Sequence, residues 1–174
     1  MIQRNSKNAN FARTWAEYKS GFGDVNTKEF WLGLEEMHQL TKTGKYGVEI
    51  LLILDAGTHT FLSYDSFVVG DESSKYALSV GTFNDKGSGF PDRFIHHRGK
   101  KFSTMDQDND GYSGYNCAQR HGNTGWWYYS CYSVNLNIWI SSGGGGYIPY
   151  DGGNGRPQET KITLVPKTGN LLFT

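Results

Sequence analysis

Residues 102–117 read Phe102-Ser-Thr-Met-Asp106-Gln-Asp108-Asn-Asp110-Gly111-Tyr112-Ser-Gly114-Tyr-Asn-Cys117, and residues 126–137 read Trp126-Trp-Tyr-Tyr-Ser-Cys131-Tyr132-Ser-Val-Asn-Leu-Asn137. Carboxylates on alternate residues repel one another unless water or a cation screens them. Hard oxygen donors at this spacing suit calcium, which accepts about six to eight oxygens in flexible geometry. Gly111 and Gly114 let the backbone curl inward to complete such a set with carbonyls. The stretch matches an EF-hand loop as far as Gly111, but the position counted for the bidentate Glu holds Cys117, and neither flank has helical periodicity. The EF-hand is therefore rejected. A solvated acidic turn holding no metal is the alternative reading of the same residues.

Cys117 and Cys131 are the only cysteines, and they bound a 15-residue stretch containing Gly122, Gly125, Trp126 and Trp127. A crosslink of that span stabilises by about 3 kcal/mol on the chain-entropy account. Two buried free thiols are the other reading. The spacing fits neither a redox pair nor a four-ligand zinc site. A disulfide implies an oxidising compartment. Met1-Ile2-Gln3-Arg4 opens the sequence without a charged, apolar and small-residue leader, so a secreted protein is expected to carry this sequence as a mature or partial form.

Outward from this region, composition sets limits. A length of 174 residues is the size of one domain. Lys+Arg 17 balance Asp+Glu 17, which removes the net field that draws proteins onto nucleic acid or anionic lipid. The longest aliphatic run, Ile50 to Leu54, is far short of the roughly 20 residues that cross a bilayer as a helix, so no membrane insertion is expected. Phe 10, Tyr 11, Trp 5 and Gly 23 point to loop-rich packing and to a surface that binds through rings.

The periodicity predicts a first helix capped by Asn10, with Phe11, Trp15 and Tyr18 on one stripe and Gly21 at its end. It predicts a second from Asn26, with Glu29 as the partner of a capping box, through Phe30, Trp31, Leu34 and Met37 to Gly44. Val48, Ile50, Leu52 and Leu54 alternate through a strand from Tyr46 to Leu54, apolar on both faces and expected at the sheet centre. Thr58 to Val69 reads as the returning strand and Tyr76 to Phe83 as a third. Beyond about Gly87 the periodicity fades, and ordered loop is expected. Glycine clusters at 143–146 and 152–155 flank Tyr147, Tyr150 and Asp151.

Taken together, the stretch from Phe102 to Asp110, Asn116-Cys-Ala118, Trp126-Trp-Tyr128 and Cys131 followed by Asn135-Leu-Asn137 resemble the fibrinogen-related domain family. Ile2-Gln-Arg4, Asn10-Phe11, Trp15, Tyr18 to Gly23 and Glu29 to Leu34 extend the resemblance in unbroken order. It implies an α+β fold: a twisted, mainly antiparallel central sheet with short helices and a loop-rich calcium- and ligand-binding region. Residues 1–174 then form one domain, divided near residue 95 into a helix and sheet region and a binding region, with the family's first subdomain missing before Met1. The resemblance also implies calcium on the side chains of Asp108 and Asp110 with main-chain oxygens near Tyr112 and Gly114. It implies that Cys117 pairs with Cys131, and that the peptide from Ser130 to Cys131 is cis. The implied ligand residues are Cys131, Tyr132, Tyr147, Tyr150, Asp151 and His121.

Such families comprise secreted recognition domains, as in ficolins and tachylectin-like lectins, and the resemblance implies no enzymatic activity. His38, His59, His96, His97 and His121 could supply a general base, yet no nucleophile motif accompanies them. Of the adjacent pair His96 and His97, one is expected inward and one solvated. The expected function is a calcium-stabilised lectin-like domain binding acetylated or amino sugars on cell or microbial surfaces in innate immunity. An acetamido group suits it, since its carbonyl takes a hydrogen bond while its methyl fills a ring-lined hollow. The alternative is a protein- or peptide-binding module of fibrinogen or angiopoietin type. One shallow site also implies oligomerisation of the full-length protein for avidity.

Overall fold

In the computed structural model, which describes residues 1–6, 9–54, 59–138 and 157–167, Tyr46–Leu54 forms strand β4 as the alternation predicts. Its inward residues Val48, Ile50 and Leu52 are buried. It lies inside a seven-stranded sheet of order β2-β3-β1-β9-β4-β5-β8, where β1 is Gln3–Ser6, β2 Phe22–Gly23, β3 Glu29–Trp31, β5 His59–Tyr64, β8 Phe83–Asn84 and β9 Pro157–Pro166. Every pairing in it is antiparallel. A separate two-stranded sheet joins β6, Phe67–Val69, to β7, Leu78–Val80.

Strand β9 lies well beyond residue 95 and still belongs to the central sheet. It comes from the end of the sequence and sits between β1 and β4, with Gln3 and Ile50 both opposite Ile162. Segments 3–6 and 157–166, far apart in sequence, therefore share one sheet. Buried polar groups fix this junction: Gln3 Nε2 donates to the Leu136 carbonyl at 2.8 Å and lies 3.1 Å from Thr160 Oγ1, while Asn5 Nδ2 donates to the same Leu136 carbonyl at 2.9 Å. The sheet thereby holds the segment that follows Cys131.

Both helix starts differ from the expectation. Helix α1 spans Trp15–Ser20 and its cap is Thr14, whose hydroxyl accepts from the Glu17 N–H while the Glu17 carboxylate accepts from the Thr14 N–H. Asn10 instead holds the turn before it, accepting from the Ala12 N–H, so Phe11 is buried from outside the helix. Helix α2 is Leu34–Thr41, not a helix from Asn26. Residues 24–28 turn the hairpin between β2 and β3, and the Glu29 carboxylate pairs with Arg13 at 2.7 Å. Gly33 sets the boundary. It has φ 108°, and a Cβ there would lie 2.9 Å from the Ser20 carbonyl carbon, so α1 and the start of α2 approach through bare backbone.

The predicted returning strand also breaks, at Asp65-Ser66, where Asp65 Oδ1 accepts from the Thr82 N–H at 2.7 Å; β5 and β6 then belong to different sheets. The predicted third strand likewise divides into β7 and β8 around Gly81.

A buried ring cluster joins the pieces. Phe102 and Trp127 centroids lie 5.1 Å apart, Tyr18 and Trp31 5.3 Å, and Trp126 and Trp127 5.3 Å. Trp127 Nε1 donates to the Tyr76 carbonyl at 2.8 Å. The tryptophan doublet is thus core, and its backbone carries the loop that follows to the surface.

Candidate ligand pocket and acidic loop

Cys117 and Cys131 form a disulfide, with S–S 2.10 Å and Cα–Cα 5.4 Å, both residues lying in the core. Cys117 opens the short helix α3, Cys117–Arg120, capped by Asn116, whose side-chain oxygen accepts from the Gln119 N–H at 3.0 Å. The peptide from Ser130 to Cys131 is cis. Replacing both cysteines with serine is expected to lower stability by about 3 kcal/mol, the chain-entropy value for this loop. Urea unfolding checks it, and a loss below about 1 kcal/mol would mean that side-chain packing already closes the loop.

Beside this bridge, Tyr129, Ser130, Cys131, Tyr132 and Ser133 wall a cavity of about 400 Å³ whose remaining described lining is His96 and His97. Tyr129 is half exposed, with the Lys100 ammonium 4.1 Å from its ring centroid. Of the residues expected at the ligand, Cys131 and Tyr132 line this cavity. His121 stands behind, its ring edge-on to Tyr132 at 4.9 Å. Burial, and then the neighbouring Arg120 charge, hold the His121 pKa below the ordinary value. Tyr147, Tyr150 and Asp151 lie outside the described residues. Sequence reasoning missed Tyr129, Ser130, Ser133, His96 and His97 as lining; adjacency to Cys131 was the available signal for the first three, and no local signal marked the two histidines.

His97 is that inward histidine, buried, while His96 is exposed. Its Nδ1 lies 2.8 Å from the Trp127 carbonyl oxygen, and its Nε2 lies 3.2 and 3.1 Å from the Ser133 and Val134 amide nitrogens. Backbone N–H groups only donate, so Nε2 is an acceptor and the ring proton sits on Nδ1. Burial pushes the His97 pKa down to about 4, with the His96 and Lys100 charges acting in the same direction.

The acidic loop resolves into two parts. Asp106 turns away, accepting from the Trp15 N–H at 2.9 Å and the Thr104 hydroxyl at 2.7 Å, and so clasps the start of α1. Asp108 and Asp110 remain adjacent. Asp108 Oδ1 accepts from the Asp110 N–H at 3.2 Å, and Asp110 accepts from the N–H groups of Tyr112 and Cys117, each at 2.8 Å. Burial, and then the like charge of Asp110, raise the Asp108 pKa. Among the described residues no cationic side chain pairs with either carboxylate, and no third acidic, His or Cys side chain joins them. Two unpaired, mutually repelling carboxylates fit a hard cation completed by main-chain oxygen and water. The Tyr112 ring lies over Gly114, where a Cβ would come within 2.5 Å of it.

Two bonds tie this loop to the cavity. Asp110 holds the Cys117 N–H, and Gly111 N–H donates to the Tyr129 carbonyl at 2.9 Å. Whatever fixes the acidic loop therefore fixes both the disulfide and one wall of the pocket.

Residues 1–148 match the family described as fibrinogen beta and gamma chains, C-terminal globular domain. The protein belongs to that family. Fibrinogen-like protein A of Apostichopus parvimensis is 40% identical over 145 residues, covering 82% of this sequence and 47% of that protein. Among solved structures, the fibrinogen-like globe domain of human ANGPTL2 superposes with a TM-score of 0.83 at 34% identity, covering 95% of this sequence and 79% of that one. A lamprey fibrin D-dimer complexed with the peptide Gly-His-Arg-Pro-amide gives a TM-score of 0.78 at 31% identity, covering 98% of this sequence and 62% of that one. The protein spans less than half the length of curated relatives such as the first. The fold is the fibrinogen-like globe, mostly antiparallel sheet with few short helices, as the resemblance implied.

Proposed function

We propose that this fibrinogen-like domain is an extracellular recognition module that takes a polypeptide segment in the cavity beside Cys131. One observation carries the reading: the disulfide turn Tyr129–Ser133 forms an open, ring-edged hollow of about 400 Å³ on a fold shared with a peptide-complexed fibrin D-dimer. Tyr129 and Tyr132 bring contact area at low rotamer-entropy cost, and Ser130 and Ser133 add polar rim groups. The pocket binds without turning over its ligand. Both nitrogens of its buried His97 are engaged by backbone, so that ring is not free to act as a base for Ser130 or Ser133. The disulfide suits an oxidising, extracellular setting.

Titrating Gly-His-Arg-Pro-amide into the labelled domain is expected to move the amide resonances of Tyr129 to Ser133 with a saturating curve. N-acetylglucosamine is the rival probe, because Tyr132 and Tyr129 could equally shelter an acetamido methyl. Saturable shifts with the sugar and none with the peptide would reverse the assignment to a lectin.

Calcium belongs to the same proposal. Asp108 and Asp110 would hold it, with main-chain oxygens near Tyr112 and Gly114, and it would supply the positive charge that the pair lacks. At about 100 times its dissociation constant a ligand of the folded state adds about 2.7 kcal/mol. Calcium is expected to raise the unfolding temperature of the wild type and leave Asp108→Asn unmoved. Equal shifts in both proteins, or none in the wild type, would remove calcium from the account.

A further inference from the structure

We propose that His97 is the positioning residue of the pocket, a neutral imidazole that sets the shape of the Tyr129–Ser133 wall from behind. This rests on the pocket reading above. The wall is a short turn between Trp127, anchored in the ring cluster, and Val134, buried on the far side. A turn so placed could swing about its two ends even with Cys131 bridged. His97 spans those ends with one rigid ring. Nδ1–H donates to the Trp127 carbonyl before the turn, and Nε2 receives the Ser133 and Val134 N–H groups after it.

The ring itself is held. Its flanks meet Phe94 and Trp126 edge-on at centroid distances of 6.1 and 6.2 Å. Its backbone belongs to a 3-10 turn, Phe94–His97, followed by Gly99, whose N–H donates to the Leu78 carbonyl at 2.7 Å, and Lys100, whose carbonyl accepts from the Leu78 N–H at 3.0 Å. His97 thus transmits the position of β7 to the pocket wall. It also forms part of the pocket floor, so a change in the ring is felt by a ligand directly and through the wall.

Two substitutions separate the roles of the two nitrogens. Asparagine places a donor near the Nδ1 position and leaves the Ser133 and Val134 N–H groups without an acceptor. Glutamine can place an oxygen near the Nε2 position and keep that acceptor. In His97→Asn, hydrogen exchange at the Ser133 and Val134 amides is expected to accelerate on the order of 100-fold while Ile50 and Leu52 are unchanged. Affinity for Gly-His-Arg-Pro-amide is expected to fall by about 10-fold or more. His97→Gln is expected to restore most of both.

The wild type carries its own signature, a scalar coupling between His97 Nε2 and the Ser133 or Val134 amide nitrogen. That coupling decides the matter if both variants misfold: its presence supports the proposal, its absence overturns it. Unchanged exchange at Ser133 and Val134 in His97→Asn overturns it too, as does faster exchange with undiminished peptide affinity. Failure of the wild type to bind the peptide removes the peptide reading alone, and the exchange and coupling then decide what His97 does.

Discussion

Replacing Trp127 with alanine is expected to cost about 4 kcal/mol of folding stability, the middle of the range for deleting a fully buried large aromatic side chain. The indole touches several independent parts of the protein. Its neighbours include Trp31 of β3 at 6.2 Å between centroids, Phe67 of β6 at 6.4 Å, Phe102 before the acidic loop at 5.1 Å and Trp126 at 5.3 Å. None of these can slide into the vacated volume without abandoning its own partners, so the cavity stays open. Truncation also strips the Tyr76 carbonyl of the indole N–H donor. For a domain of this length the loss corresponds to roughly a 10 °C fall in Tm. Urea unfolding measures it, with Phe61→Ala, exposed on β5, as the control. A loss under about 1 kcal/mol for Trp127→Ala would show that the ring cluster does not join the two sheets.

The two regions differ in how far their residues announce them. Strand β4 was legible because Val48, Ile50 and Leu52 alternate through it and are buried, although Leu51 and Ile53 on the other face, expected to be buried as well, are only half-buried. The disulfide was legible through resemblance, since long motifs in fixed order restrict the fold more than any single spacing does. The misread helix starts have a common cause. Asn26 and Glu29 have capping-box spacing, but a hairpin turn offers the same polar residues, and only the positive φ of Gly33 places the boundary after Trp31. Strand β9 carries a two-residue alternation, with Thr160 and Ile162 buried and Lys161 and Thr163 less so, yet its inward row includes polar residues. Those polar residues make sense only once Gln3, Asn5 and the Leu136 carbonyl stand opposite, which no local pattern can show. The pocket has the same character: Ser133, Tyr129 and His96 meet through a histidine 36 residues before Ser133.

The route from acidic loop to pocket gives the proposed calcium ion a defined influence. A cation on Asp108 and Asp110 would relieve their repulsion, and Asp110 would then hold the Cys117 N–H without competing charge. Gly111 carries the same constraint to the Tyr129 carbonyl. A bound ion would thus hold the turn from the side opposite the imidazole, the loop at Tyr129 and His97 at Ser133 and Val134. Loss of either is expected to loosen the wall while leaving β4 and β9 intact.

Acidification tests the imidazole's side of this arrangement. The ordinary histidine pKa of 6.5 applies to the unfolded state, and burial lowers the folded value to about 4. Between these values the unfolded state binds a proton that the folded domain refuses, so stability rises with pH across this window. His97 therefore contributes in full above about pH 6.5, and its contribution is lost progressively as pH falls to about 4, a change of about 3 kcal/mol. The charged groups near the ring, His96 and Lys100, oppose its protonation. A proton on Nε2 would also turn the acceptor of two N–H groups into a competing donor. Carboxylates also respond to acidification, Asp108 with its raised pKa included, but they are common to wild type and His97→Gln. The difference between those two proteins in urea midpoint, followed from about pH 7.5 to about pH 4, isolates the imidazole. Wild type is expected to lose about 3 kcal/mol more than the glutamine variant over that range, with Ser133 and Val134 amides exchanging faster before the sheet amides do. Parallel curves would mean that His97 titrates normally, and that the ring does not hold the pocket wall in its neutral form.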